Sequence, residues 1–423
     1  MSQTSGFRPA NHYLETAKLW MLCFVAVSPS LGTAVAALGR VVLYLVALVC
    51  LLNALRPRAP RTDFGGSRAM IGVILLTCAY MALSALWSSV TLEDALLAWT
   101  RHARLLTVVI VYYLISNSAQ GFLVLRAFTF AQIFVVLSAW LLVAGIHAPW
   151  VTAKQADDTY AVFGSYLEQS ISQSVLVAIL WFQRDTIFGT HGRWFAIFLA
   201  LTTLVLTLGF LQGRSGHLVA LGMVTLACMH AMSRKWRWVA MAVPFLAFAL
   251  LMSGSETFRT RMAKVVSEVT AYSQTRDTNS SSGERLVYWS TSMQAINEKP
   301  LLGHGAGSWN LEYRKLGGDK LAPPTTDNPH QLFLLWAVEG GIVGMVLLIT
   351  VLWTLVTFSK HLQPPDAHTM QALVAALVIS GMFNSMIFGI GMGDFFCIGF
   401  GILLAMHKQT LGLPTTPHHA KSY

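Results

Sequence analysis

Arg214, Arg285 and His330 are the residues best suited to chemistry, because each stands beside or between apolar runs that penalise charge. Arg214 lies in Leu211-Gln212-Gly213-Arg214-Ser215-Gly216, a short turn between two such runs. Its glycines permit close backbone approach. Ser215 is expected to cap the following helix, whose first N–H groups then form an anion site beside the guanidinium. Arg285, in Gly283-Glu284-Arg285-Leu286, can clamp the same anion or pair with Glu284 or Glu298. A guanidinium fork matches phosphate because it donates two parallel hydrogen bonds. His330 ends Asp327-Asn328-Pro329-His330, just before another apolar run. Asp327 or Asn328 can cap a helix there and Pro329 fits its first turn, so the helix is expected to start at His330. The positive helix end then disfavours imidazolium, and a neutral imidazole can take a proton from a hydroxyl. The plainer alternatives are an arginine snorkelling to the interface and a histidine bound to water or a carbonyl.

Other candidates are less specific. Arg101 and Arg104, three residues apart, are expected to share one face of an apolar helix and to need partners such as Glu93, Asp94 or a bound anion. Arg40, near the start of the second apolar run, is a further anion ligand candidate. His304, in Leu302-Gly303-His304-Gly305-Ala306-Gly307, is a second possible base in a tight loop, without the strand and helix of a dinucleotide fingerprint. Asp157-Asp158 is the adjacent acidic pair to test for a divalent cation, with a solvated loop as the alternative. Glu339 and Asp394 are expected to pair with cations or backbone, and His102 to be structural.

The elements that position these residues are membrane helices. The chain has 423 residues, 55% of them hydrophobic and only 11% charged; a soluble domain carries about a quarter. About twelve apolar segments have spanning length, near 17–36, 39–55, 69–87, 94–116, 121–146, 163–183, 193–211, 215–232, 236–253, 328–358, 367–388 and 391–408. Strand alternation is absent, so the expected fold is an all-α polytopic bundle in a single domain, 1–423. One long polar insert, 254–327, separates the ninth and tenth segments. Within it, Glu256 to Gln274 carries a helical stripe of Phe258, Met262, Val265, Val266, Val269 and Tyr272. A second helix is expected from Ser281, which has capping-box spacing to Glu284, up to Pro300.

The net charge of +10 is largely explained by topology. Arg56, Arg58, Arg61 and Arg68 fill one loop, Arg184 and Arg193 flank another, and Arg234, Lys235 and Arg237 fill a third. With the N-terminus inside, all three are cytoplasmic and the insert lies outside. An alternative reading makes the first run a signal peptide cleaved near Ala34-Val35-Ala36, which leaves the remaining topology unchanged. The five cysteines lie in predicted spans without metal spacing, so no disulfide, metal or other cofactor is expected, and no nucleic-acid motif is present.

From Gln212 to Gly344 the chain resembles the O-antigen ligase and polymerase superfamily of bacterial membrane glycosyltransferases. The resemblance rests on Gly213-Arg214-Ser215-Gly216, Gly283-Glu284-Arg285 before Trp289, Glu298-Lys299-Pro300-Leu301-Leu302-Gly303-His304-Gly305-Ala306-Gly307, and Asn328-Pro329-His330-Gln331-Leu332-Phe333 before Glu339-Gly340-Gly341. The first 200 or so residues match in hydropathy alone. The resemblance implies a GT-C-like fold and transfer of a glycan from undecaprenyl pyrophosphate to lipid A–core oligosaccharide, without metal, at the periplasmic face of the inner membrane. Arg214 and Arg285 would hold the pyrophosphate, with Arg101, Arg104 or Arg40 assisting, and His330 would serve the acceptor. Gln331 departs from the family's usual Asn. The rivals are a polymerase that uses a second lipid-linked glycan as acceptor, a protein-directed oligosaccharyltransferase, and a polyprenyl-glycan transporter.

Overall fold

The computed structural model describes residues 9–54, 67–254, 256–275, 278–323 and 327–408. Among them there is no strand. The chain opens with α1 (Pro9–Val27), α2 (Thr33–Ala54), α3 (Arg68–Leu83), α4 (Leu92–His102), α5 (Leu106–Leu114) and α6 (Ser118–Val143). There follow the short α7 (Ala156–Thr159), then α8 (Tyr166–Phe182), α9 (Arg193–Gly209), α10 (Arg214–Ala231), the short α11 (Arg237–Ala240) and α12 (Val243–Gly254). The insert supplies α13 (Glu256–Thr275), α14 (Ser281–Glu298), α15 (Trp309–Lys315) and α16 (Gly318–Leu321). The chain closes with α17 (Leu332–Phe358), α18 (Pro364–Gly381) and α19 (Ile390–Ala405). Arg56, Arg58 and Arg61 of the first basic loop lie outside the described residues.

The protein is an all-α multi-pass membrane protein. Eight stretches among the described residues are long and apolar enough to cross a bilayer. The other four expected spans coincide with α8, α10, α18 and α19, which are helical but shorter or more polar. The reason is their position. From Gln169 to Leu180 every residue of α8 is buried, as is every residue of α19 from Met392 to Ala405. A helix enclosed by protein need not be uniformly apolar, and α8 carries Ser170, Gln173 and Ser174 on buried positions. By contrast α2 leaves Leu38, Leu45, Leu48 and Leu52 exposed, as a lipid-facing helix does.

Helix α8 lies against α6, α9, α10 and α18. Its approach to α10 depends on missing side chains. A Cβ on Gly216 would stand 2.8 Å from the Ser170 backbone carbon and 2.4 Å from its Cβ. A Cβ on Gly213 would meet the Ser170 Oγ at 2.0 Å. These glycines bring the start of α10, and with it Arg214, directly onto α8.

Helix α17 is broken at Gly341, whose φ of 62° and ψ of −163° interrupt the helical ladder. The loop after α14 fills the break. His304 N–H donates to the Val338 carbonyl at 2.8 Å, Gly305 N–H to Glu339 at 2.9 Å, and Ile342 N–H to Pro300 at 2.8 Å. Buried backbone groups freed by the break thereby find partners. Gly303 has φ 70°, and a Cβ there would lie 2.5 Å from the Gly341 nitrogen. The glycines around His304 thus serve a backbone splice that fixes the insert on α17. A small core of Val287, Tyr288, Ala295, Trp309, Tyr313, Leu335 and Val338 completes that attachment.

In α13 the buried stripe differs from the sequence expectation. Glu268 is buried, whereas Val266 and Val269 are exposed. The cause is Arg214, which Glu268 meets across the seam. The side chain of Phe258 lies outside the described residues.

Candidate active site

The site forms where the first turn of α10, the helices α13 and α14, the segment before α17 and the α18–α19 connection meet. Arg214 opens α10 and reaches the insert: its Nη1 donates to Ser282 Oγ at 3.2 Å and lies 3.5 Å from Glu268 Oε2. Ser282 Oγ in turn donates to Glu268 at 2.5 Å. Ser215 does not cap α10; Gly213 occupies the N-cap without a side-chain bond. Instead Ser215 Oγ accepts from Asn384 Nδ2 at 2.8 Å, because its side chain faces the α18–α19 connection rather than its own helix end.

Arg285 lies in the first turns of α14, which is capped by Ser280 rather than Ser281: Ser280 Oγ accepts from Gly283 N–H at 3.0 Å. The two serines are equivalent chemically, and the one with extended backbone takes the role. Arg285 pairs with neither Glu284 nor Glu298; its Nη2 donates to Asn384 Oδ1 at 3.5 Å. Burial lowers its pKa first, and the charge of Arg214 lowers it further. Asn384, itself buried, therefore bridges Arg285 to Ser215. The Arg214 charge thus opposes that of Arg285, while Glu284 and Glu268 act on Arg285 in the opposite sense.

His330 is next in this line. It is not the first helical residue. Gln331 is the N-cap of α17 and accepts from Leu334 N–H, so the helix starts at Leu332. His330 itself has φ 53°, a left-handed conformation that non-glycine residues seldom adopt. The Asn328 side chain accepts its N–H at 3.0 Å, and Trp289 Nε1 donates to the Pro329 carbonyl at 3.0 Å. These contacts hold the turn that presents the imidazole. Burial, then the Arg285 charge, pushes the His330 pKa down to about 4. The neutral ring is thus maintained mainly by desolvation, with Arg285 adding to it.

The remaining candidates divide. Arg101 reaches the rim: it lies 3.3 Å from Asp327 and 4.6 Å from the centre of the Phe388 ring. It does not share a helix face with Arg104, because α4 ends at His102 and a 3₁₀ turn carries Arg104 inward. Arg104 Nη1 donates to the carbonyls of Ile387, at 3.0 Å, and Phe388. Arg40 forks onto Asp394 at 2.7 and 3.1 Å and reaches the Ile390 carbonyl. Both arginines hold the α18–α19 connection that carries Asn384 and Phe388. His102 meets Glu339 at 2.6 Å in a fully buried pair under the site. His304 is turned elsewhere, bonded to the Ala295 carbonyl at 2.8 Å. With Glu298 and Glu312 it forms a group of possible metal ligand atoms within 4.8 Å of one another. Lys315 already neutralises Glu312 at 2.8 Å. Asp157 pairs with His147 at 3.1 Å and is exposed.

Sequence reasoning missed Glu268, Ser282 and Asn384. Ser282 and Asn384 are polar residues of ordinary appearance, and only the fold shows that Ser282 meets Arg214 and that Asn384 links Arg285 to Ser215.

The architecture is that of a polytopic helical membrane protein with paired arginines and a neutral histidine at one end of the bundle. Residues 195–349, which include all three, match the family model described as O-Antigen ligase. The chain is also similar to an uncharacterized protein of Haemophilus influenzae, 24% identical over 210 residues, which are 48% of this chain and 52% of that protein. The chain thus aligns with about half the length of this relative.

Proposed function

We propose that the protein transfers a glycan from undecaprenyl pyrophosphate to lipid A–core oligosaccharide at the periplasmic face of the inner membrane, with inversion. The observation that carries this reading is the line of Arg214, Arg285 and His330, joined through Ser215 and Asn384, in which the Arg214 charge is felt at Arg285 and the Arg285 charge at His330. Two half-buried guanidinium groups, only one of them ion-paired among the described residues (Arg214 with Glu268), gain most from an anion of two or more charges, and a pyrophosphate supplies it. On α10 the residues one face below Arg214, namely Leu218, Leu221, Gly222, Thr225 and Leu226, line an apolar groove of about 440 Å³ with Pro244, Ala375 and Ile379. That groove suits a polyprenyl tail whose head group rests at Arg214.

In the proposed step the acceptor hydroxyl oxygen bonds to the anomeric carbon. The bond from that carbon to the pyrophosphate oxygen breaks, and its electron pair stays on the phosphate. Arg214 and Arg285 stabilise the charge as it develops, with Arg101 at the rim. The hydroxyl proton passes to His330. In the free site His330 is a weak base; a bound pyrophosphate offsets the Arg285 charge and restores basicity. The left-handed backbone at His330 is the kind of local strain that persists where a side chain must be aimed.

Reconstitution tests this. Purified protein is given a polyprenyl-pyrophosphate glycan with lipid A–core in one sample and with more donor alone in another. Glycan on lipid A–core supports the ligase. A lengthened donor makes the protein a polymerase, and uptake into liposomes without covalent transfer makes it a transporter.

A further inference from the structure

A transferase of this kind must hold a sugar beside the arginine site, and the first turns of α8 have a second face that can do so. Tyr166 and Ser170 face the start of α10: Gly213 and Gly216 pack on Ser170, and Gly213 lies against the Tyr166 carbonyl. Ser165, Glu168, Gln169 and Ser172 follow the spacing i, i+3, i+4, i+7 and so form another stripe of the same helix. That stripe lines a cleft closed by Ser30, Gln132, Phe163 and Phe395.

We propose that this cleft is a subsite for the hydroxyl-bearing edge of a sugar, with Glu168 as its specificity-determining residue. The assignment rests on the transferase reading above. Two acceptors in the cleft have no donor. Among the described residues Glu168 has neither hydrogen bond nor ion pair, and its carboxylate lies against the glycine backbone of Gly164, Gly389 and Gly391. Gln132 is 1% exposed; its Nε2 donates to Ser30 Oγ at 2.6 Å, while its Oε1 is buried without a partner. A buried acceptor without a donor is costly, and a ligand that brings hydroxyl donors removes the cost.

The chemistry of the cleft selects among ligands. An unneutralised carboxylate repels phosphate, so the pyrophosphate belongs on the other face of α8. Arg40, which bonds the Ile390 carbonyl beside the cleft, is already engaged by Asp394. Sugar hydroxyls donate to a carboxylate in short, strong bonds. The enclosed space is about 40 Å³, room for roughly two or three water-sized groups. The cleft therefore takes one or two hydroxyls or a hydroxymethyl group, with the rest of the ring outside against Phe163. The sugar can come from the acceptor or from the first residue of the donor.

Steady-state transfer with lipid A–core and a polyprenyl-pyrophosphate glycan separates these sources. Glu168→Gln is expected to raise one KM at least tenfold while kcat changes less than threefold. A rise in the acceptor KM assigns the cleft to the acceptor sugar, and a rise in the donor KM assigns it to the donor sugar. Gln132→Met, which removes the amide and suits the apolar surroundings, is expected to raise the same KM and decides the matter if Glu168→Gln does not fold. Both KM values within twofold of wild type in the folded variants overturn the proposal, as does a fall in kcat alone. Absence of transfer by the wild-type protein refutes the transferase reading itself, which is a distinguishable result.

Discussion

The low pKa of His330 makes a quantitative prediction about acid. An ordinary histidine, with a pKa of about 6.5, is only about 3% neutral at pH 5. With a pKa of about 4, His330 is about 90% neutral there. If His330 takes the proton, kcat/KM, which reports the free enzyme, should change less than about twofold between pH 7 and pH 5. An unperturbed histidine in the same role would lose about 25-fold. The kcat profile should break at higher pH than the kcat/KM profile, because bound pyrophosphate offsets the Arg285 charge. The assay is transfer measured at subsaturating and saturating donor across pH 4.5–8 (approximate limits chosen around the shift). The diagnostic region is pH 5.5–7, roughly the span over which an ordinary imidazole changes charge. A break in kcat/KM near pH 6.5 that disappears in His330→Gln would refute the placement of this ring in a desolvated cationic site. The stability sign follows from the same shift. The folded pKa lies below the unfolded one, so the unfolded chain takes up the proton first as pH falls, and stability is lost between about pH 6.5 and 4, by at most about 3 kcal/mol.

Three further outcomes follow from packing and from the donor set. Gly213→Ala should impair folding and transfer through its clash with Ser170, at about 1–3 kcal/mol, and Ser170→Gly should rescue it, since the next contact, the Tyr166 carbonyl, is at 3.3 Å. Gly216→Ala should not be rescued, because the Ser170 backbone carbon remains at 2.8 Å; thermal unfolding in detergent reads both. Glu339→Ala leaves His102 buried without its partner and should lower stability by about 3–5 kcal/mol, seen as lost monodisperse protein, with partial recovery in a His102→Leu, Glu339→Met double variant. Transfer should persist in excess EDTA if, as proposed, Arg214 and Arg285 supply the positive charge. Loss restored by magnesium would redirect attention to Glu298, His304 and Glu312, or to Asp157 and Asp158.

The sequence was informative where one physical demand dominated. Apolar length located the twelve segments, though not the breaks that divide 94–116 into α4 and α5 or 236–253 into α11 and α12, and Pro300 ended α14 because proline cannot continue a helix. It was less informative where equivalent residues compete. Ser280 and Ser281 can each cap α14, and Asp327, Asn328 and Gln331 can each cap α17; Ser280 and Gln331 take the role with extended backbone. The pairing of Arg214 with Glu268 was hidden by the apolar stripe of α13, whose Val266 and Val269 stay exposed while the carboxylate is buried. In one dimension Arg40 reads as a candidate anion ligand and Arg104 as a cation in need of Glu93, Asp94 or a bound anion. Asp394 lies 354 residues from Arg40, and the carbonyls that hold Arg104 lie more than 280 residues away. Glu168 passed unnoticed because an acidic residue in a helix's first turn is ordinarily accounted for by the dipole.

The central claim is that Arg214, Arg285 and His330 act together on one lipid-linked pyrophosphate. The most direct measurement is single-turnover transfer to lipid A–core by purified, monodisperse Arg214→Ala, Arg285→Ala and His330→Ala, with donor binding measured in parallel. The account predicts that the two arginine variants lose donor binding and transfer, whereas His330→Ala keeps binding and loses at least about a hundredfold in rate. Wild-type transfer by His330→Ala, or undiminished donor binding by both arginine variants, would contradict it.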